Sequence, residues 1–425
     1  MTGRQTPARA ARMMCVAAFA IGALIALAAP LGAQDDGFAL PTLESLGIGP
    51  WMNESGSIQF GLSGRADLDF YQTGDVETGL IAGTGSIVAP RVRLFGDLFV
   101  GDAWFVSTEL RFDRGPMESL VGHEFRVEQA FVRWSPFTYA ALQLGRFASP
   151  FGSYPSRHHT DDDWFIRPPV MYDHRTVVLT GRVPADADEW MAWKDSTELR
   201  ERGVPPVWGA PYQWGGMAFG ALRDLSWRVA YMNSAPASGP DQWDELGFES
   251  GSLVAAFGYR FAPWVRVEAS YATGSFLERD LSEEQNPTIH GPGWFVQQII
   301  GGELLFELAH TQLRAEAFHD TWTYVEDDAI DLSWSVEARQ ELFQDWFVAG
   351  RIGQMRFSDV EVPAALPSDI PRSEPWDYNV QRIQIAGGFR FASNAEIRAE
   401  YLTQTTDGPA DPDDDVVALQ LWWAF

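Results

Sequence analysis

The chain has 425 residues, 46% of them hydrophobic and 13% aromatic, with a formal net charge of −27. So acidic a chain disfavours nucleic acid as a partner. After the N-terminus the apolar residues are dispersed, with no second long run to make a transmembrane helix, which leaves a large soluble all-β protein or a transmembrane β-barrel.

The N-terminus reads as an export signal. Arg4, Arg9 and Arg12 form a basic start, Val16 to Ala29 is an apolar run of fourteen residues, and small residues follow at Gly32 and Ala33. That is the layout of a secretory signal peptide over residues 1–33. The apolar run is shorter than the roughly 20 residues a membrane-spanning helix needs. Cys15, the only cysteine, lies inside it, and the preceding "RMMC" lacks the small residues of a lipid-attachment site. The exported remainder therefore has no thiol and forms no disulfide. Residues 34–55 read as a short periplasmic lead-in, without coiled-coil heptads, and no separate soluble domain or cofactor motif is read in the chain.

From residue 56 onward the sequence alternates with the period of a β-strand. In "SIQFGLSGRADLDFY", Ile58, Phe60, Leu62, Ala66, Leu68 and Phe70 share one face, and Gln59, Ser63, Arg65, Asp67 and Asp69 share the other. The same reading gives strands near 56–71, 84–99, 103–114, 123–134, 138–147, 213–222, 225–234, 251–261, 264–275, 293–307, 310–325, 332–341, 345–358, 378–391, 395–406 and 415–425. The connections alternate short and long. "SPF" at 135–137, "RD" at 223–224, "AP" at 262–263 and "AH" at 309–310 are short; 72–83, 148–212, 235–250, 276–292 and 359–377 are long. Outer-membrane barrels have an even strand number, short periplasmic turns and longer external loops, whereas a soluble sandwich has no reason for that asymmetry. "TVVLTGRV" at 176–183 is strand-like, but counting it would turn 184–212 into a periplasmic turn, so it is placed within the external loop. The expected fold is an all-β transmembrane antiparallel barrel of about 16 strands over residues 56–425. Trp104, Trp134, Tyr139, Trp227, Tyr259, Trp264, Trp294, Trp334 and Trp346 fall near strand ends, where aromatic girdles at the membrane interfaces would put them.

Strand parity then sends charges inward. Arg65, Asp67 and Asp69 come from the first strand, Arg91, Arg93 and Asp97 from the second, Glu109 and Arg111 from the third, and Arg126 and Glu128 from the fourth. Later strands add Arg314, Glu316, Glu337, Arg351, Arg382, Arg398 and Glu400 among others. Many charges in one interior need water or tight pairing. A barrel of this size is wide enough for an aqueous channel, and pairing across the wall as struts is the competing fate of each charge. Rings of Arg favour anions and rings of carboxylate favour cations; both are present. Lys194 is the only lysine among 31 basic residues. The Arg fork suits carboxylate and phosphate, and GC-rich coding bias accounts for the same usage.

Residues 148–212 form the longest connection, the third on the external side, and loops of this length are usually functional or disordered. Trp164, Phe165, Trp190, Trp193 and Trp208 favour order. The economical reading folds this loop into the lumen, so that Arg157, His158, His159, Asp161, Asp162, Asp163 and Arg167 stand at a pore constriction. The wall residues Arg65 to Glu128 would line the pore. Other readings compete for the cluster. Its His and Asp residues are metal-ligand types, yet adjacent side chains rarely converge on one ion and the spacing of a calcium loop is absent; no metal is expected. Ser156, His158 and Asp161 are the types of a hydrolase triad, but triads are recognised by geometry and GxSxG does not occur in this loop; no catalytic residue is expected. A structural or adhesive barrel and a merely solvated charge cluster also remain. The other external loops are acidic, with Asp241, Asp244, Glu245, Glu249, Glu283, Glu284, Asp327, Asp328, Asp411 and Asp413 to Asp415. Such a rim suits divalent cations shared with lipopolysaccharide phosphates.

The chain closes on "DDVVALQLWWAF", with Val417, Leu419, Leu421, Trp423 and Phe425 on one face. This is similar to the final strand of outer-membrane barrels, whose terminal aromatic is read by the barrel assembly machinery. "ALQLGRFASPFGSY", through Gly145, Arg146, Phe147, Pro150, Phe151 and Gly152, resembles a segment of the phosphate-selective porin O/P-like family; "VEQAFVRWSPF" before it and the terminal Phe425 fit as well. The resemblance implies a sixteen-stranded, homotrimeric channel in the outer membrane of a Gram-negative bacterium, passing small hydrophilic solutes by diffusion. It does not carry phosphate specificity across, because the family's anion selectivity rests on basic residues that include lysines.

Overall fold

A strand whose two faces differ in polarity must bury one of them, and a wall of such strands satisfies its backbone fully only by closing. In this computed structural model the described residues are 40–73, 85–113, 124–159, 162–248, 250–278, 294–324, 328–343, 345–362, 372–408 and 415–425. Sixteen long strands build the wall: β1 Ile58–Thr73, β2 Ser86–Val100, β3 Trp104–Asp113, β4 Glu124–Phe137, β5 Ala140–Ala148, β6 Tyr212–Leu222, β7 Leu225–Met232 and β8 Ser252–Ala262. They continue as β9 Val265–Ser275, β10 Val296–Leu308, β11 Thr311–Thr323, β12 Asp328–Phe343, β13 Trp346–Phe357, β14 Val380–Ala392, β15 Ala395–Thr406 and β16 Val416–Ala424. Each pairs antiparallel with the next. Strand β16 returns to β1, from Val416 opposite Thr73 to Ala424 opposite Arg65. The barrel is closed and antiparallel, and it has no free edge.

The two faces are sorted as a transmembrane barrel requires. On β1, Leu62 and Leu68 are each 48% exposed on the outside, while Asp67 and Asp69 between and beside them are 3% and 1% exposed. Outward-facing Leu94, Leu144, Phe257 and Leu304 are likewise exposed. The aromatic ends pair up: Trp104 stacks on Trp134, Phe137 on Tyr139 and Trp346 on Phe389. Apolar outside and charged inside is the reverse of a soluble protein, so lipid is the solvent that this outer face fits. Among the described residues no helix is long and apolar enough to cross a membrane.

Several boundaries differ from those expected. The stretch 135–137 lies within β4, because the β4–β5 register shifts between Trp134 and Phe137 and moves the turn onward. Likewise β8 runs through Ala262, so the turn falls on residues 263–264. Tight turns are made by positive φ at Arg223, Ala309 and Asp345, the backbone that matches the twist of two-residue hairpins. Two pairings were not anticipated. Trp51–Met52 pairs with Phe60 and Gln59 of β1. A separate ribbon joins Asp359–Val362 to Arg372–Pro375, with Val360 and Val362 buried at 4% and 1%. The strand-like 176–183 adds no strand to the wall; Thr176 and Val178 instead bond to Val204 within the long connection. Leu40 and Asn394 bond through both backbone groups of Leu40, which ties the lead-in to the β14–β15 turn. The expected signal segment and most of the acidic rim (Glu249, Glu283, Glu284, Asp327, Asp411, Asp413, Asp414) lie outside the described residues.

Candidate functional site

The long connection leaves the wall through the motif at Gly145–Gly152. Gly145 has φ +134, and a Cβ there would strike the backbone of Ala130 and Phe131; Gly152 has φ +71, and a Cβ would strike the Tyr172 hydroxyl. Only glycine fits either position. Between them Phe147 and Phe151 are 2% and 0% exposed, packed with Phe131, Tyr172 and Phe318. The clasp is completed by Ser149, whose N–H donates to Pro211 O at 2.9 Å.

Beyond Gly152 the loop bonds to polar-face side chains of distant strands. Glu316 on β11 accepts from Ser153 N at 2.7 Å, Ser153 Oγ at 2.9 Å and the Tyr172 hydroxyl at 2.9 Å. Arg157 pairs with Asp163 at 3.2 Å and with Glu337 of β12 at 3.0 Å. Arg351 of β13 closes the square, 2.7 Å from Glu337 and 3.3 Å from Asp163. It also donates to Arg167 O at 2.9 Å and lies 3.9 Å from the Phe165 ring centroid. Arg398 of β15 donates to Asp163 O at 2.8 Å, Glu400 accepts from the N–H of Ile166 and Arg167, and Arg382 and Arg167 both reach Asp173, at 2.8 and 2.6 Å. Burial works against the Arg157 charge, and Glu337 and Asp163 more than offset it, so its pKa stands above the usual arginine range.

The two histidines pack against other partners. His158 contacts Pro155 O through Nδ1 at 2.7 Å and the Tyr212 hydroxyl through Nε2. His159 lies tilted against it with ring centroids 4.1 Å apart, meets Phe95 edge-on, and places Nε2 3.8 Å from Glu109. Burial, with Arg93 nearby, pushes His158 down to about 3. Burial and the neighbouring His158 also lower His159. Both rings are neutral at pH 7, as packing and hydrogen-bonding groups.

The wall residues form an ion-pair ladder across β1 to β4. Arg93 meets Asp67 at 3.5 Å and Glu109 at 3.3 Å; Arg91 meets Asp69 at 3.8 Å and Asp113 at 2.8 Å; Arg111 meets Asp113 at 3.0 Å and Glu128 at 3.1 Å. Arg126 reaches Asp244 at 3.6 Å, and Arg65 lies 5.8 Å from the Phe95 centroid. Towards the short turns the pairs open to water on their arginine side: side-chain exposure is 41% for Arg266 against 8% for Glu303, and 44% for Arg390 against 3% for Glu396.

Of the expected constriction residues, Arg157 and Asp163 meet in one buried network and Arg167 borders it. His158 and His159 pack elsewhere, Asp162 is exposed, and Asp161 lies outside the described residues. Ser156 donates to Ser153 O at 2.8 Å, so the serine and His158 are engaged with other partners. Among the described residues no group of three or more His, Cys, Asp and Glu is placed to hold a metal ion. Sequence reasoning missed Asp113, Asp173 and Glu396. Asp113 shares the parity of Glu109 and Arg111 and was legible; nothing local marks Asp173.

This is the porin fold: a closed sixteen-strand barrel, charged within and apolar without. Solved structures with the same fold include DcaP, an outer membrane channel of Acinetobacter baumannii, at TM-score 0.55 and 12% identity over 89% of this chain and 100% of that one. An anion-selective porin from Comamonas acidovorans matches at 0.54 and 11% over 87% and 100%. The trimer form of in-vitro folded OmpT from Vibrio cholerae matches at 0.52 and 8% over 87% and 100%. No family model matches the sequence, and no curated protein does.

Proposed function

We propose that the chain is an outer-membrane porin, a passive channel for small hydrophilic solutes or ions whose constriction is built by Arg157, His158, His159, Asp162, Asp163 and Arg167 of a loop folded into the lumen. The observation that carries this is the square Arg157–Asp163–Arg351–Glu337, which joins the loop to the inner faces of β12 and β13. The wall ladder from Arg65 to Glu128 flanks it. Export by residues 1–33, recognition of Phe425 by the barrel assembly machinery, lipopolysaccharide at the acidic rim and a homotrimer, the state described for OmpT of Vibrio cholerae, complete the reading. Kinship with the phosphate-selective porin O/P-like family draws on the Gly145–Gly152 motif, whose glycines release the loop from the wall. Single-channel conductance of the refolded protein in a planar bilayer, with reversal potential in a salt gradient, is the test. Stable steps support a porin, and the sign of the reversal potential gives its preference. A folded barrel without conductance would sink it. A second reading, a structural or adhesive barrel, draws on the closed cluster of Trp190, Trp322, Tyr324 and Trp376 and takes over in that case.

A further inference from the structure

One arginine of the inner wall stands outside the ion-pair ladder. Arg133 on β4 lies opposite Phe105 of β3 and Gln143 of β5. Its Nε and Nη2 donate to Gln143 Oε1 at 3.1 and 2.9 Å. Its guanidinium carbon sits 5.4 Å from the Phe105 centroid, 5.4 Å from Phe131 and 5.2 Å from Phe219. Among the described residues no carboxylate pairs with it and Nη1 has no acceptor. Aromatic faces hold a cation in place without neutralising it.

The surroundings are apolar on the wrong side of the wall. Phe99 lies opposite Phe105 with ring centroids 4.8 Å apart, on the inward face, and is 46% exposed. Met217 continues the same row beyond Gln143. Lipid covers exposed aromatics outside the barrel; inside there is only water, and leaving apolar surface wet is unfavourable. An unneutralised guanidinium edge beside a wet aromatic patch matches a ligand with one anionic head and one apolar body.

We propose that Arg133, Phe99, Phe105 and Phe219 form a binding site for small amphiphilic monocarboxylates, with the carboxylate on Arg133 Nη1 and the apolar part against the rings. A single free donor edge fits a monoanion; a strongly hydrated dianion would find only aromatic carbon beyond it. The site rests on the reading of a water-filled inner vestibule, and it does not depend on conduction.

Benzoate is the probe. Its binding to the refolded full chain in zwitterionic micelles is measured by calorimetry, with protein-free micelles subtracted and acetate and benzyl alcohol as controls. Benzoate is expected to bind about ten-fold or more tightly than either control, and Arg133→Gln to weaken it by a similar factor, the effect of losing one charge-assisted hydrogen bond. Heat-modifiable gel mobility checks that each variant folds. Should Arg133→Gln not fold, Phe99→Ala, at an exposed position, replaces it and is expected to weaken benzoate while leaving acetate unchanged. Benzoate binding no tighter than benzyl alcohol, or unchanged in the folded variant, overturns the site. Conductance on the same preparation separates the two readings: binding without conductance sinks the channel alone, and conductance without binding sinks the site alone.

Discussion

Two regions of the barrel's charged face use the same residue types to opposite effect. Around residues 153–173 the carboxylates and guanidinia are buried and multiply bonded: Glu337 and Arg351 are each 1% exposed at the side chain. Near the short turns the arginines of comparable pairs stand in water, as Arg266 and Arg390 do. Coulomb attraction between similar partners is strong where water is excluded and weak where it is not. The loop therefore turns some wall charges into a structural joint, while Arg266 and Arg390 stay exposed.

The largest test of that contrast is Glu337→Ala. It leaves Arg157 and Arg351 buried around a missing carboxylate, and breaking such a buried network typically costs about 3–5 kcal/mol. A fall in the temperature of heat-modifiable unfolding, with larger or noisier conductance steps, is expected; an unchanged protein would make the joint ornamental. Next comes Gly152→Ala, which forces a side chain into a positive-φ position against the Tyr172 hydroxyl. About 1–3 kcal/mol of strain is expected there, read as faster proteolysis of the loop.

Acid sharpens the comparison further. The unfolded chain binds a proton at His158 near pH 6.5, whereas the packed ring does so only at about 3. Protonation therefore favours release: the hold on the loop is complete above pH 6.5 and weakens as pH falls towards 3. Hydrogen exchange in residues 153–167 is expected to rise across that window, and His158→Gln to blunt the rise. The smallest effect belongs to the exposed pairs. Arg266→Gln is expected to change stability by less than about 1 kcal/mol while shifting the reversal potential towards cations; a large loss of stability would erase the distinction between the two regions.

Much of this molecule is visible in its alternation. The outward Leu62 and Leu68 and the inward Asp67 and Asp69 follow from period two alone, and the even strand count follows once the alternation of short and long connections is added. The ladder from Arg65 to Glu128 follows from the same parity. What alternation hides is where it breaks. The β3–β4 register slips at Glu109/Leu110, a bulge that shifts the following side chains by one face. Counting on from Arg126 and Glu128 sends Arg133 to the lipid; the bulge turns it inward. Partners such as Glu316 for Ser153 and Asp173 for Arg382 meet only because the loop crosses between strands remote in sequence, and no local pattern reports that.

The seam between β1 and β16 sets an order of events. Phe425 and Gly64 exchange backbone hydrogen bonds at 2.8 and 2.7 Å, so the first wall strand waits for the last before its edge beyond the Trp51–Met52 pairing has a partner. Until then β1 offers an unpaired edge to any neighbouring chain. Closing so distant a contact is slow, and a partly built sheet is prone to aggregate. Folding of this barrel is thus a race between sealing and clumping, and anything that delays β16 lengthens the hazardous interval.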